Sequence, residues 1–204
     1  MDVNQILLKL QNRESSILDS SKFLKFAVLL PLIEKDDGLH ILFEVRAYNM
    51  RRQPGEICFP GGKVDPEDQN EQYTAIRETS EELGIRLNSI SSIFPLDYMV
   101  TAFGNIIYPF LGVIDTPDDI VPNESEVAEI FTVPLEYFRE VKPEIFKVHL
   151  AANPEPNFPY ELIIGGENYK WQTRHVDEYF YKYQDKVIWG LTARILSHFL
   201  EVLE

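Results

Sequence analysis

At 204 residues, 45% apolar and 25% charged, the chain has the composition of an ordinary folded protein, long enough for a single domain over residues 1–204 with a proper core and unlike a disordered chain. Its 19 Lys and Arg against 33 Asp and Glu leave a net charge of -14, which argues against non-specific binding to nucleic acid or to an acidic membrane, since both surfaces would repel it. Cys58 is the only cysteine, so an internal disulfide and a cysteine-rich zinc site are excluded.

In chain order, a short helix is expected at about 3–12, with Ile6, Leu7 and Leu10 on one face. The same opening lacks the basic start, apolar centre and small-residue cleavage site of a secretory signal. The closing "EVLE" is no retention or peroxisomal address, so a cytoplasmic protein is expected. "FAVLLPLI", 26–33, is far shorter than the ~20 residues of a membrane-spanning helix and contains a proline, so it reads as a buried strand within 24–33. The "DDG" at 36–38 is a hairpin turn signal, and "HILFEVRAY", 40–48, alternates at period two as a second strand. "EICFPGG" gives a short strand ending in proline and two glycines. Further strands are expected at about 92–101, 105–114, 128–133, 160–164 and 168–172. The last two flank a "GG" turn, and "PEPNFP", 154–159, reads as a surface loop. A closing helix at about 188–203 places Ile188, Leu191, Thr192, Ile195, Leu196, Phe199 and Leu203 on one face.

Between the glycine pair and residue 85 lies the most informative stretch. Asp68 with Glu71 three residues on has the spacing of a capping box, and Ala75, Ile76, Thr79 and Leu83 supply an inward stripe. A helix at about 69–83 follows, closed by Gly84 as a left-handed cap. On it Glu78 stands three residues from Glu81 and four from Glu82. Like charges at that spacing cost roughly 0.2–0.5 kcal/mol per pair, and acids at a helix C-terminus a further ~0.3–1 kcal/mol each. A solvated acidic face would account for solubility but not for this placement. Divalent cations against the carboxylates would reverse both penalties, because magnesium prefers hard oxygen ligands and shares itself with substrate phosphates. From Leu87 to Phe138 there are eight acids and no Lys or Arg, so an anionic substrate would need cations to mediate.

Arg77, Glu78, Glu81, Glu82 and Gly84, preceded by Gly61 and Gly62, resemble the signature of the Nudix hydrolases. The run from Gly62 to Arg77 is one residue longer than in the usual box, and Asp68 best matches its middle acid. "VRAYNMRRQPGEICFPGGKVD", 45–65, resembles the segment that opens the box in the coenzyme A diphosphatase branch. Arg46, Arg51, Gly55, Glu56, Phe59, Pro60, Gly61, Gly62, Lys63 and Asp65 fall in register, whereas Gln53 stands in place of the usual histidine and Ala47 in place of serine. Segments 126–138 and 187–196 are similar to the same branch.

The resemblance implies an α/β/α sandwich with a mixed β-sheet between helices and a metal-dependent enzyme using Mg2+ or Mn2+. Glu78 and Glu82 are the implied inner ligands, with Glu81 a further ligand or a water-activating base and the Gly61 carbonyl able to complete a metal shell. Arg77 is expected to pair with an acid such as Asp68 and orient the glutamates. Glu124, Glu126 and Glu129 are offered for the general base, with Glu126 favoured on a loop able to swing over the site. Arg46, Arg51, Arg52 and Lys63 are candidates to hold substrate phosphates, an ordinary surface ion pair being the alternative for each. The implied reaction cleaves the diphosphate of coenzyme A or its derivatives into 4'-phosphopantetheine and adenosine 3',5'-bisphosphate. ADP-ribose or a dinucleotide as substrate, and a catalytically silent nucleotide-binding module, are the alternatives. The expected partner is a small nucleotide-diphosphate molecule, with no nucleic acid or membrane, and a homodimer is left open.

Overall fold

The structure is a computed structural model describing residues 2–204. Helix α1 (Val3–Leu10) opens with a capping box in which the Asp2 carboxylate accepts the Gln5 N–H and the Gln5 side chain returns to the Asp2 N–H. None of its residues is buried, so the expected face of Ile6, Leu7 and Leu10 rests on no core. Strand β1 (Leu24–Lys35) turns through Asp36 and Asp37 into β2 (Gly38–Arg46), with Lys35 opposite Gly38. Two short strands, β3 (Ile57–Cys58) and β4 (Gly61–Lys63), carry the chain to helix α2 (Glu71–Leu83). After it come β5 (Ile90–Pro95), β6 (Met99–Val100), β7 (Asn105–Ile114), β8 (Val127–Pro134) and the short helix α3 (Leu135–Glu140). The chain closes with β9 (Glu144–Leu150), β10 (Arg174–Tyr183), β11 (Lys186–Trp189) and helix α4 (Gly190–Val202).

Strand β1 is the centre of an eight-stranded mixed sheet. It runs parallel to β7 and antiparallel to β2 and β4, while β2 also pairs with β3 and β8. Its alternate side chains enter two cores. Ala27, Leu29 and Ile33 pack with Leu42 of β2 against Ala75 and Leu83 of α2. Leu30 packs with Ile41 and Phe43 against Phe138 of α3 and Ile195, Leu196 and Phe199 of α4. Because successive strand residues face opposite ways, a strand buried on both sides requires a layer on each. The result is the expected α/β/α arrangement, with α2 on one face and α3 and α4 on the other.

Strands β9, β10 and β11 form a separate three-stranded sheet. The strands expected at 160–164 and 168–172 are not formed. Those residues make single 3-10 turns at Tyr160–Leu162 and Gly166–Asn168, where Gly165 and Gly166 curl at φ 100° and 52° and no strand lies alongside to pair with. The closing helix starts at Gly190 because Ile188 belongs to β11, opposite Tyr181. Among the described residues no helix is long and apolar enough to cross a membrane.

Candidate active site

The glutamate helix is set against the sheet at both ends. At its start the Asn70 side chain, not Asp68, is the cap and accepts the Tyr73 N–H at 2.8 Å. Lys25 of β1 pairs with Glu71 of the first turn at 2.9 Å. At its end Gly84 takes φ 64°, ψ 28°, and its N–H donates to the Ser80 carbonyl. The following chain then closes the helix: the Val121 and Asn123 N–H groups donate to the Leu83 and Glu82 carbonyls at 3.0 and 2.9 Å.

Asp68 is freed from capping to do something else. Its carboxylate accepts a forked pair from Arg77, at 2.9 Å from Nε and 3.0 Å from Nη2, and also bonds the Thr74 hydroxyl and the Asp65 N–H. The Arg77 guanidinium holds Asp68 well below the usual carboxylate range. From that anchor Arg77 reaches Glu78 at 2.9 Å and Glu81 at 3.3 Å. Arg77 thus bridges Asp68 to Glu78 and Glu81.

The three glutamates of the helix differ in surroundings. Glu81 is exposed at the rim. Glu78 lies against the glycine pair so closely that a methyl group on Gly62 would overlap its carboxylate. Glu82 is only 3% exposed, and its Oε2 accepts the Gly61 N–H at 2.7 Å. It is thus the amide of Gly61 that engages the helix, and the strand pair with Val28 fixes it there. Burial pushes the Glu78 and Glu82 carboxyls up, and for Glu82 the neighbouring Glu44 adds to the rise.

Glu44 was not legible as a site residue. It is 1% exposed, in β2 directly opposite Cys58, whose thiol donates to its Oε1 at 3.2 Å. Burial pushes its carboxyl up to about 7.

The loop before β8 completes the surroundings. The Glu126 side chain accepts from Asn123 Nδ2 at 3.2 Å, and its carbonyl accepts the Ala47 N–H at 2.8 Å. Since Asn123 is also bonded to the end of α2, this loop is hydrogen-bonded to the helix. Glu124 is exposed and Glu129 is paired with Lys186 at 2.7 Å, which leaves Glu126 alone of the three beside Glu44 and Glu82.

Among the described residues Arg46, Arg51, Arg52 and Lys63 form no ion pair with an acid. The Nε of Arg46 is buried without a partner, and the other three side chains are exposed. Gln53 is turned onto Glu56, with 2.9 Å between Nε2 and Oε2. No three His, Cys, Asp or Glu side chains of the described residues have converged into a ready metal set, because each glutamate has turned to a donor of the protein. The donors present are carboxylate oxygens, the type a hard divalent cation takes, and among the described residues neither Glu44 nor Glu82 has an ion-pair partner.

Comparison with known proteins bears on the same residues. The peroxisomal coenzyme A diphosphatase NUDT7 of Mus musculus is 38% identical over 122 residues, which are 60% of this chain and 51% of the mouse protein, so the chain spans about half the length of that relative. The uncharacterized Nudix hydrolase NudL of Yersinia pestis (strain Pestoides F) is 28% identical over 200 residues, covering 96% of this chain and 90% of that protein. Among solved structures, the Nudix hydrolase RenU of M. smegmatis aligns with a TM-score of 0.46 at 21% identity, over 57% of this chain and 73% of that one. A MutT/nudix family protein of Enterococcus faecalis aligns with a TM-score of 0.49 at 15% identity, over 100% of this chain and 70% of that one. The NUDIX domain matches residues 24–151, well over half of the sequence, and the chain therefore belongs to the Nudix family, whose hydrolases act on phosphorus-containing anhydrides.

Proposed function

We propose that the protein is a divalent-metal-dependent diphosphatase of coenzyme A or its derivatives, releasing 4'-phosphopantetheine and adenosine 3',5'-bisphosphate. The observation that supports this reading is the buried Glu82 and half-buried Glu78 beside Arg77, in a chain where Arg46, Arg51, Arg52 and Lys63 form no ion pair among the described residues. The coenzyme A assignment draws on the printed activity of the mouse relative and on the segment from Arg46 to Lys63.

Glu78 and Glu82 are the proposed inner ligands, with Glu81 and the Gly61 carbonyl completing the set. Bound there, Mg2+ or Mn2+ would neutralise diphosphate oxygens and lower the pKa of a water. Arg77 fixes the Glu78 and Glu81 carboxylates, so their positions are set before substrate arrives. Glu126, or Glu81, takes the proton of the attacking water. Arg46, Arg51, Arg52 and Lys63 meet the phosphates, Arg46 through a guanidinium whose Nε has no internal partner.

The test is a comparison of specificity constants for coenzyme A, its 3'-dephospho form and ADP-ribose, with products identified. Coenzyme A is expected to lead. Arg46→Ala should lower its constant by about ten- to a hundredfold, the worth of one lost charge-assisted contact. Preference for ADP-ribose would overturn the coenzyme A assignment and leave the Nudix chemistry intact.

A further inference from the structure

We propose that Glu44 is an additional carboxylate ligand of the cation site, reaching it from strand β2 while the other carboxylate ligands come from the helix. This rests on the metal-dependent reading above and adds a residue outside the helix motif.

The placement follows from the alternation of β2. Leu42 packs into the core under α2, so Glu44 and Arg46, two and four residues on, face the same side. Phe43 faces the opposite core. Along this face the strand passes from an apolar contact to a buried acid and then to a half-buried arginine.

Glu44 is not accounted for as an internal structural acid. A buried carboxylate is ordinarily held by an arginine, a lysine or several donors. Here Oε1 has the Cys58 thiol, a weak donor, and Oε2 is buried with no partner at all. Arg46 does not supply one, since its own Nε is also unpartnered. The groups that act on Glu44 are Cys58 on β3, Arg46 two residues on in β2, Glu82 on α2 and Glu126 on the loop before β8, and the single cation among them makes no hydrogen bond or ion pair with it among the described residues. Among the described residues no donor reaches Oε2 when Glu44 is ionised. A divalent cation supplies what is missing, because it accepts an oxygen lone pair from each of several carboxylates and removes their mutual repulsion. Glu82 is held in a comparable way, its Oε2 accepting the Gly61 amide at 2.7 Å. Each acid is thus steadied by one oxygen.

The test is Mn2+ titration of the full chain followed by electron paramagnetic resonance, on the wild type, Glu44→Gln and Glu82→Gln, with melting of each protein in chelator alongside. Glu44→Gln keeps the shape and should weaken Mn2+ binding by about tenfold or more, while its metal-free melting temperature holds or rises because a buried charge is gone. Glu44→Asp, which keeps the charge and the acceptor for Cys58 but shortens the arm, should also weaken binding, so the test survives if the Gln variant folds poorly. Unchanged Mn2+ affinity in the Glu44 variants, with Glu82→Gln impaired, overturns the role of Glu44 alone. Wild type and Glu82→Gln that bind Mn2+ equally, or not at all, overturn the metal reading itself.

Discussion

Gly62 is where the backbone comes closest to a proposed metal ligand, and the contact decides what a single methyl would do there. Added to Gly62, it would overlap the Glu78 carboxylate, which is the far end of a flexible side chain and can move aside. Gly62→Ala is therefore expected to leave the melting temperature nearly unchanged while lowering turnover by about a hundredfold, because displacement of a reacting group by ~1 Å costs that much. Steady-state kinetics with a melt of the same sample checks this, and wild-type turnover would show that Glu78 is not held where chemistry needs it. Helical spacing put Glu78, Glu81 and Glu82 on one face, and the resemblance to the Nudix signature singled out Arg77. Glu44 was not legible in the sequence, since an acid in an alternating strand looks like a residue of a solvated face. Its burial arises from tertiary packing, which brings Cys58 of β3, Glu82 of α2 and Glu126 about it from elsewhere in the sequence.

At the scale of elements, the end of α2 does two jobs. Gly84 stops the helix in the left-handed conformation, and its Cα hydrogen faces the Val121 carbonyl with no room for a methyl. The same junction anchors the loop that carries Glu126, through the Val121 and Asn123 amides. Gly84→Ala should cost more than about 1 kcal/mol in urea unfolding, since left-handed strain and a backbone clash add. Activity should fall with it as the loop loosens. Loss of stability with full activity would separate the loop from the chemistry. The glycine signal made this boundary readable, and the strand expected at 105–114 forms as Asn105–Ile114. The sheet of β9, β10 and β11 was not readable, because β9 and β10 are joined only across the long excursion of residues 151–173. The apolar segments within that excursion looked like strands but meet no partner. The expected N-terminal helix forms, yet its apolar stripe finds no core, which a periodic pattern cannot reveal.

For the whole molecule, the buried acids link stability to pH and to metal. Burial pushes Glu44 up to about 7 and raises Glu82 as well, the latter with help from Glu44. In the unfolded chain both titrate near the ordinary ~4.3. A carboxyl whose folded pKa lies above its unfolded value stabilises fully below the unfolded value, and the contribution is lost as pH rises through the folded one. In chelator the protein is therefore expected to be most stable in mild acid and to weaken between about pH 4.3 and about pH 7. The loss is on the order of a few kcal/mol, or on the order of 10 °C in melting temperature for a chain of this size. If magnesium binds the ionised folded form and not the unfolded one, as the proposed function requires, it should raise the melting temperature by mass action, and the gain should grow with pH over the same window. Melting curves across about pH 5 to 8, with chelator and with magnesium, test both statements together. If the curve in chelator is flat and the magnesium gain is the same at every pH, then the buried carboxylates are not the groups that the cation neutralises.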